Sequence, residues 1–168
     1  FPELMREDEQ AINLNSSVAR AISLTNQYGF NILLRHQADW ITGWLLKDWF
    51  FGEEGNNIRL GWDLSKKSWP HSFEGLPWKL ALPKIIESGN ILGKIDSNQA
   101  LSLGVSKELV IIAGTTDANA AVLAADPQPD DGVTVLGSTI AVKRFVKKPL
   151  RGSGITNHRI RGRWLSGG

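Results

Sequence analysis

The stretch Asp126-Pro127-Gln128-Pro129-Asp130-Asp131-Gly132 divides this chain into two alphabets. Proline lacks the backbone N–H and clashes with the preceding turn, so no helix continues through two prolines, a run of acids and a glycine. Before this break, apolar residues at helical spacing alternate with short β-like runs. After it the residues are those of strands: Val133–Leu136, Ile140–Phe145, Ile155–Ile160, and Arg163–Leu165 about the turn Arg161-Gly162. Three or four antiparallel strands in succession start a new sheet. The expectation is an α/β chain with a first unit over 1–126, a crossing over 127–132 and the start of a second unit over 133–168.

Chemistry gathers on both sides of the break. The apolar run Val110, Ile111, Ile112, expected to be buried, ends in the small residues Ala113-Gly114-Thr115-Thr116 and presents Asp117. It then enters an alanine-rich helix (Ala118, Ala120, Ala121, Ala124, Ala125), small enough to lie close against neighbouring backbone. A strand thus delivers a carboxylate to a crevice, at a helix start whose free N–H groups carry a positive dipole end. On the far side, Val133–Leu136 breaks at Gly137-Ser138-Thr139 and resumes at Ile140, a hairpin whose tip offers N–H groups and two hydroxyls. Such a tip suits an anion, most naturally a phosphate. One carboxylate beside one phosphate cradle fits phosphoryl transfer to a hydroxyl, where a protein mainly positions groups and stabilises charge. The competing reading makes Asp117 a helix cap and Gly137–Thr139 an ordinary turn, and the pattern alone leaves the two open.

The remaining elements follow from periodicity and caps. Residues 1–14 are acidic and weakly patterned. Asn15-Ser16-Ser17 supplies N-cap chemistry for a helix with Val18, Ala19 and Ile22 on one face, ending near Gln27–Gly29. Asn31–Leu34 is a short apolar run. Gln37-Ala38-Asp39 opens a second helix, Asp39 being its cap or first-turn acid, with Trp40, Ile41, Trp44 and Leu45 as a core face. From Gly52 to Trp78 turn residues alternate with single aromatics, as in a long ordered loop tied down by tryptophans. His36, His71 and His158 lack neighbours at metal-ligand spacing and read as surface residues. Leu80–Glu87 is expected as a short helix closed by Gly89, and Ile91–Ile95 as extended. Asp96-Ser97 caps a helix through Leu103 that Gly104 ends.

Composition removes several classes of function. The 168 residues contain no cysteine, which excludes a disulfide scaffold and any thiolate metal site. A net charge of +2 implies no polyanion partner by itself, and no apolar run is long enough to cross a bilayer. Between Lys143 and Arg163 every charged side chain is basic, which raises a nucleic-acid reading. It is set aside because Phe145 and Trp164 fall at core positions and the basic residues alternate like a solvated strand face. The chain opens on Phe1-Pro2 and stops at Ser166-Gly167-Gly168, just after a strand-like run. The expectation is a segment of a longer polypeptide.

Five segments in order carry a resemblance: HQADWITGWLL, NNIRLGWD, AGTTDANAAVLAA, VTVLGSTIAVKRF and TNHRIRGRWLSGG. Together, from Gln37 to Gly168, they resemble the middle of the FGGY carbohydrate kinases, most of all the ribulose and xylulose kinase-like branch of cyanobacteria and plants. The resemblance implies a ribonuclease H-like fold of the actin and hexokinase type, here incomplete: the end of the first, sugar-binding domain and the first antiparallel strands of the second, nucleotide-binding one. It implies ATP-dependent phosphorylation of a pentulose such as ribulose or xylulose, with ATP and Mg2+. Asp117 matches the catalytic general base, and Gly137, Ser138 and Thr139 match a phosphate loop. Gly114, Thr115 and Thr116 line the approach to the aspartate. Thr116, Asp117 and Asn119 are the sugar-side candidates, although some relatives carry the asparagine directly after the aspartate, where this chain has Ala118. No metal ligand is assigned. The partners implied are the sugar, ATP and the rest of a two-domain chain, without nucleic acid or membrane, in the cytoplasm or, in a plant, the chloroplast stroma. The first phosphate loop, the early sugar-binding residues and the adenine loop of that family are absent, so this segment alone is not expected to turn over substrate. A non-catalytic relative that binds ligand without turnover is the alternative.

Overall fold

The computed structural model describes residues 17–138 and 140–168. Helix α1 (Ser17–Tyr28) buries Val18, Ala21 and Thr25, spaced three and four apart, so one stripe faces inward. That stripe meets Leu34, Leu60, Phe73, Trp78 and Ala81 in the first of three small cores. Residues 1–14, and the Asn15-Ser16 part of the expected cap, lie outside the described residues. Of the loop expected from Gly52 to Trp78, the part up to Leu60 is instead a strand end and short helical turns, and the tryptophan-pinned stretch begins beyond it. Trp62 meets Trp69 edge-on at 5.3 Å, Trp69 stacks on Phe73 at 6.3 Å, and Phe73 meets Trp78 edge-on at 5.0 Å. The offset and edge-on contacts favoured by aromatic quadrupoles thus take the place of regular secondary structure.

Helix α2 (Gln37–Leu46) starts at the expected Gln37, but only part of the expected face turns inward, Leu45 packing against a core. Its buried residues are Asp39 and Gly43, whereas Trp40 and Ile41 are 54% and 48% exposed. The indole of Trp49 lies on Gly43, where any Cβ would come within 2.3 Å of its ring, and its Nε1 donates to the Trp40 carbonyl. Close approach at a glycine, rather than an aromatic stripe, therefore sets the rotation of this helix. Strand β1 (Phe51–Glu53) follows and leads into the one-turn helix α3 (Glu54–Asn57).

Leu80–Glu87, expected as a helix, is a short 3-10 turn at Lys79–Ala81 followed by strand β2 (Lys84–Ile86), which pairs in parallel with β1. Pro83 cannot continue a helix, and Ile85 and Ile86 are β-branched. Strand β3 (Ile91–Lys94) and helix α4 (Ser97–Leu103) fall where the sequence places them. Asp96 caps α4 by accepting from the Asn98 and Gln99 amides, and Gly104 closes it at φ 68°. Strand β4 (Val110–Ile112) pairs antiparallel with β3. Only Ile111 of β4 is buried, in a second core with Ile95 and Ala100, while Val110 and Ile112 are 44% and 52% exposed. The expected buried run is thus an alternating strand with one covered face.

Helix α5 (Asp117–Ala124) buries Asn119 and Val122 and leaves most of its alanines at the surface. Across the proline-rich break, β5 (Val133–Leu136), β6 (Ile140–Val146), β7 (Thr156–Ile160) and β8 (Arg163–Gly167) form one antiparallel sheet in the order β5-β6-β8-β7. Arg161 at φ 48° and Gly162 at φ 75° form the two-residue left-handed turn between β7 and β8. A third core joins Val122 of α5 to Ile160 and Leu165 of this sheet, with Val133 and Phe145 against them. It spans the Asp126–Gly132 segment, so α5 packs with the strands that follow it.

Candidate active site

Backbone hydrogen bonds aim the segment that carries the acid. The Gly89 amide donates to the Ala113 carbonyl and the Ala113 amide to the Asn90 carbonyl, each at 2.8 Å. They anchor the end of β4 before the chain turns through Gly114, Thr115 and Thr116. Asp117 is the first residue of α5 and is exposed, with Oδ1 accepting from the Ala118 amide at 2.7 Å. The competing cap role falls to Thr116, which occupies the N-cap position in extended conformation without a side-chain hydrogen bond. Asp117 is therefore left with a carboxylate facing outward.

A crevice open to solvent lies along this approach. Gly114, Thr115 and Ala113 form one wall, and Phe51, Glu53, Ile86 and Leu92 line it elsewhere. Gly137 and Ser138 are exposed at the tip of the β5–β6 hairpin, closed by the Leu136–Ile140 pair. Thr139, the third residue assigned to that tip, lies outside the described residues.

Asn119 occupies a different position from Asp117. It is fully buried, its Nδ2 donating to Thr115 Oγ1 at 3.2 Å and its Oδ1 accepting from Lys143 Nζ at 2.9 Å. Both ends of its amide are thus engaged within the protein. Lys143 itself corrects the expectation of a solvated basic face, because it is only 6% exposed. Burial lowers its pKa, and the nearby Asp117 charge acts in the opposite sense. Arg159, half-buried, lies over the Trp164 ring at 5.5 Å, whereas Arg163 is exposed with its guanidinium over the Phe145 ring at 4.0 Å.

Sequence reasoning missed a group of buried acids beside the crevice. Asp39 accepts from the Glu53 amide and from Asn57 Nδ2, both at 2.9 Å. Glu53 caps α3 through the Gly55 and Asn56 amides, both at 2.8 Å. Burial raises the pKa of both acids against these hydrogen bonds. Glu54 is 1% exposed with no partner for Oε1, and burial, helped by the Glu87 charge, pushes it up to about 7. The adjacent pair Glu53-Glu54 before Gly55-Asn56-Asn57 was the available sign, since it matches capping chemistry.

The histidines divide. His71 is exposed, as expected. His36 and His158 are half-buried and each has a buried ring nitrogen without a partner, which corrects their reading as surface residues. Burial, with Lys143 and Arg59 nearby, brings His158 down to about 4. Among the described residues no three His, Asp or Glu side chains form a group that could hold a metal ion. No described helix is long and apolar enough to cross a membrane.

The architecture has counterparts among solved enzymes. The chain superimposes on ligand-bound xylulose kinase from Lactobacillus acidophilus with a TM-score of 0.80 at 15% identity, covering 99% of this chain and 36% of that one. Gluconate kinase from the same bacterium gives 0.78 at 15% identity, with the same coverage of both chains. Xylulose kinase from Rhodospirillum rubrum gives 0.78 at 17%, covering 93% of this chain and 34% of that one. No protein-family model matches the chain. The protein shares the fold of part of these kinases, as the resemblance led us to expect. It spans about a third of the length of these kinases.

Proposed function

We propose that this chain is part of an ATP-dependent sugar kinase, the substrate being a pentulose such as ribulose or xylulose. The observation that carries the reading is Asp117, an exposed carboxylate at the start of α5 two residues after Thr115 of the crevice wall, on a helix bound to the glycine-serine hairpin through Asn119 and Lys143. In this reading Asp117 takes the proton from the attacking sugar hydroxyl as the oxygen bonds to the γ-phosphorus, and ADP leaves. Gly137, Ser138 and Thr139 hold phosphate oxygens through N–H groups and hydroxyls, where negative charge builds toward the leaving group. Thr116 and Asp117 face the sugar, and Asn119 supports them from behind rather than by direct contact. In this reading Mg2+ would come with the nucleotide phosphates. The remaining sugar and adenine contacts belong to parts of a two-domain kinase that this chain does not contain.

The complete encoded protein is assayed for ATP-dependent phosphorylation of ribulose, xylulose and gluconate. Transfer to a pentulose that falls by about 10²–10⁴-fold in Asp117→Ala supports the reading. Transfer that survives the substitution removes Asp117 as the base. A wild-type protein that binds a sugar but transfers nothing favours the non-catalytic alternative.

A further inference from the structure

A lysine on a sheet position that faces a core is an expensive choice, since an ammonium loses most of its hydration there. Lys143 occupies such a position in β6, on the same face as Phe145, and is almost entirely buried. Its Nζ donates to Asn119 Oδ1, a neutral acceptor, at 2.9 Å. Asn119 in turn holds Thr115 Oγ1 at 3.2 Å, so a continuous chain of hydrogen bonds runs from the hairpin strand to the segment just before Asp117. Farther along α5, fully buried Val122 packs against Ile160 and Leu165 of the same sheet. A leucine or methionine would fill the strand position without this polar link.

We infer that Lys143 is a positioning residue, fastening the hairpin that carries Gly137 and Ser138 to the helix that begins with Asp117. The inference rests on the proposed phosphoryl transfer and deepens it: base and phosphate turn belong to one rigid body. The spacing within this pair then stays fixed when other parts of the enzyme move against it. Losing the fastening leaves substrate binding intact and misplaces the base relative to the phosphoryl group. A displacement of about an ångström is worth as much as 10²-fold in rate.

The test uses the complete encoded protein and reads kcat separately from KM. Lys143→Met is expected to lower kcat by about tenfold to 100-fold with both KM values within about twofold, and Lys143→Arg to recover most of the loss. Asn119→Leu should do the same, and the double variant should be no slower than the slower single one. A Lys143→Met enzyme within about twofold of wild-type kcat overturns the inference, as do losses that multiply in the double variant. Amide hydrogen exchange provides a second reading: Lys143→Met should speed exchange in the first turn of α5 and in the β5–β6 hairpin together, while the exposed control Lys147→Met changes neither. Should Lys143→Met not fold, Asn119→Ser takes its place in both measurements. If the wild type phosphorylates no sugar, the functional reading fails, and the fastening is decided by exchange: unchanged rates in those two segments overturn it.

Discussion

Arg159 of β7 reaches Glu87 at 3.9 Å, across the contact between the C-terminal sheet and the first half of the chain. Glu54 of α3 feels both charges yet keeps a buried oxygen unpaired. Its carboxyl in the folded protein titrates at about 7, above the ordinary 4.5, so the folded state holds the proton more tightly than the unfolded chain. Stability contributed at this position is therefore present at low pH and lost as pH rises from about 4.5 to 7. His158 acts with the opposite sign: its value of about 4 lies below the ordinary 6.5, so stability is gained as pH rises through that interval. Each effect is worth about 3 kcal/mol at most. Relative to wild type, Glu54→Gln should gain stability as pH rises from 5 to 8, and His158→Phe should lose it from 4 to 7. Urea unfolding at a series of pH values checks both slopes. A Glu54→Gln difference that stays constant with pH would remove Glu54 from the account.

The Asp39–Asn57 pair predicts a stability effect without a ligand. Asp39→Ala leaves the buried Glu53 amide without its acceptor, while Asn57 Nδ2 keeps the Glu53 carbonyl at 2.8 Å. The expected loss is about 2–4 kcal/mol, combining a broken charge-assisted hydrogen bond with a small cavity. Asn57→Asp sets a second buried carboxyl against Asp39, so its cost should be larger at pH 8 than at pH 5. Thermal melts at the two pH values distinguish the cases.

Glycine 43 provides a test in which propensity and packing disagree. Alanine is ordinarily favoured over glycine inside a helix by about 1 kcal/mol. Here the added methyl would overlap the Trp49 ring, with Cδ1, Cγ and Nε1 all within 2.7 Å of the Cβ position. Gly43→Ala is therefore expected to destabilise the protein by about 1–3 kcal/mol, and Gly43→Ala with Trp49→Ala to be less than additive. The Trp49 indole N–H resonance in the single variant reports whether the ring has moved.

What could be read from the sequence was whatever depends on local chemistry. The Asp96 cap, the Gly104 stop, the Arg161-Gly162 turn and the start of α5 at Asp117 are each decided within a few residues of chain. The face of α2 depended on where Trp49 lands, which no periodicity within the helix encodes. Leu80–Glu87 carries helical apolar spacing, yet Pro83 breaks it and the chain forms a 3-10 turn and a strand instead. Lys143 was legible in principle: strand side chains alternate with period two, so a lysine two residues before a core phenylalanine faces the same way. The basic residues do alternate, but Lys143 falls on the parity of Phe145 and therefore on the core side, not the solvated one. For Asp117 and the hairpin tip the chain pattern indicated the positions, but the link between them through Asn119 and Lys143 required the fold.

The hairpin tip and the aspartate should fail in different ways if their proposed roles are right. Ser138 is exposed and outside all three cores, so Ser138→Ala is expected to leave the melting temperature unchanged. A hydroxyl bound to a charged phosphate oxygen is worth about 1.5–3 kcal/mol, so the same variant should raise KM for ATP by about tenfold or more. Asp117→Asn keeps the size of the side chain and removes the basic oxygen. It is expected to lower kcat by about 10²–10⁴-fold while ATP affinity changes little. Steady-state kinetics on the complete protein, with isothermal titration of ATP analogues, separate the two losses. A Ser138→Ala enzyme with unchanged KM for ATP would remove the Ser138 hydroxyl from the proposed phosphate contacts and leave any hold on phosphate to the backbone N–H groups of the hairpin.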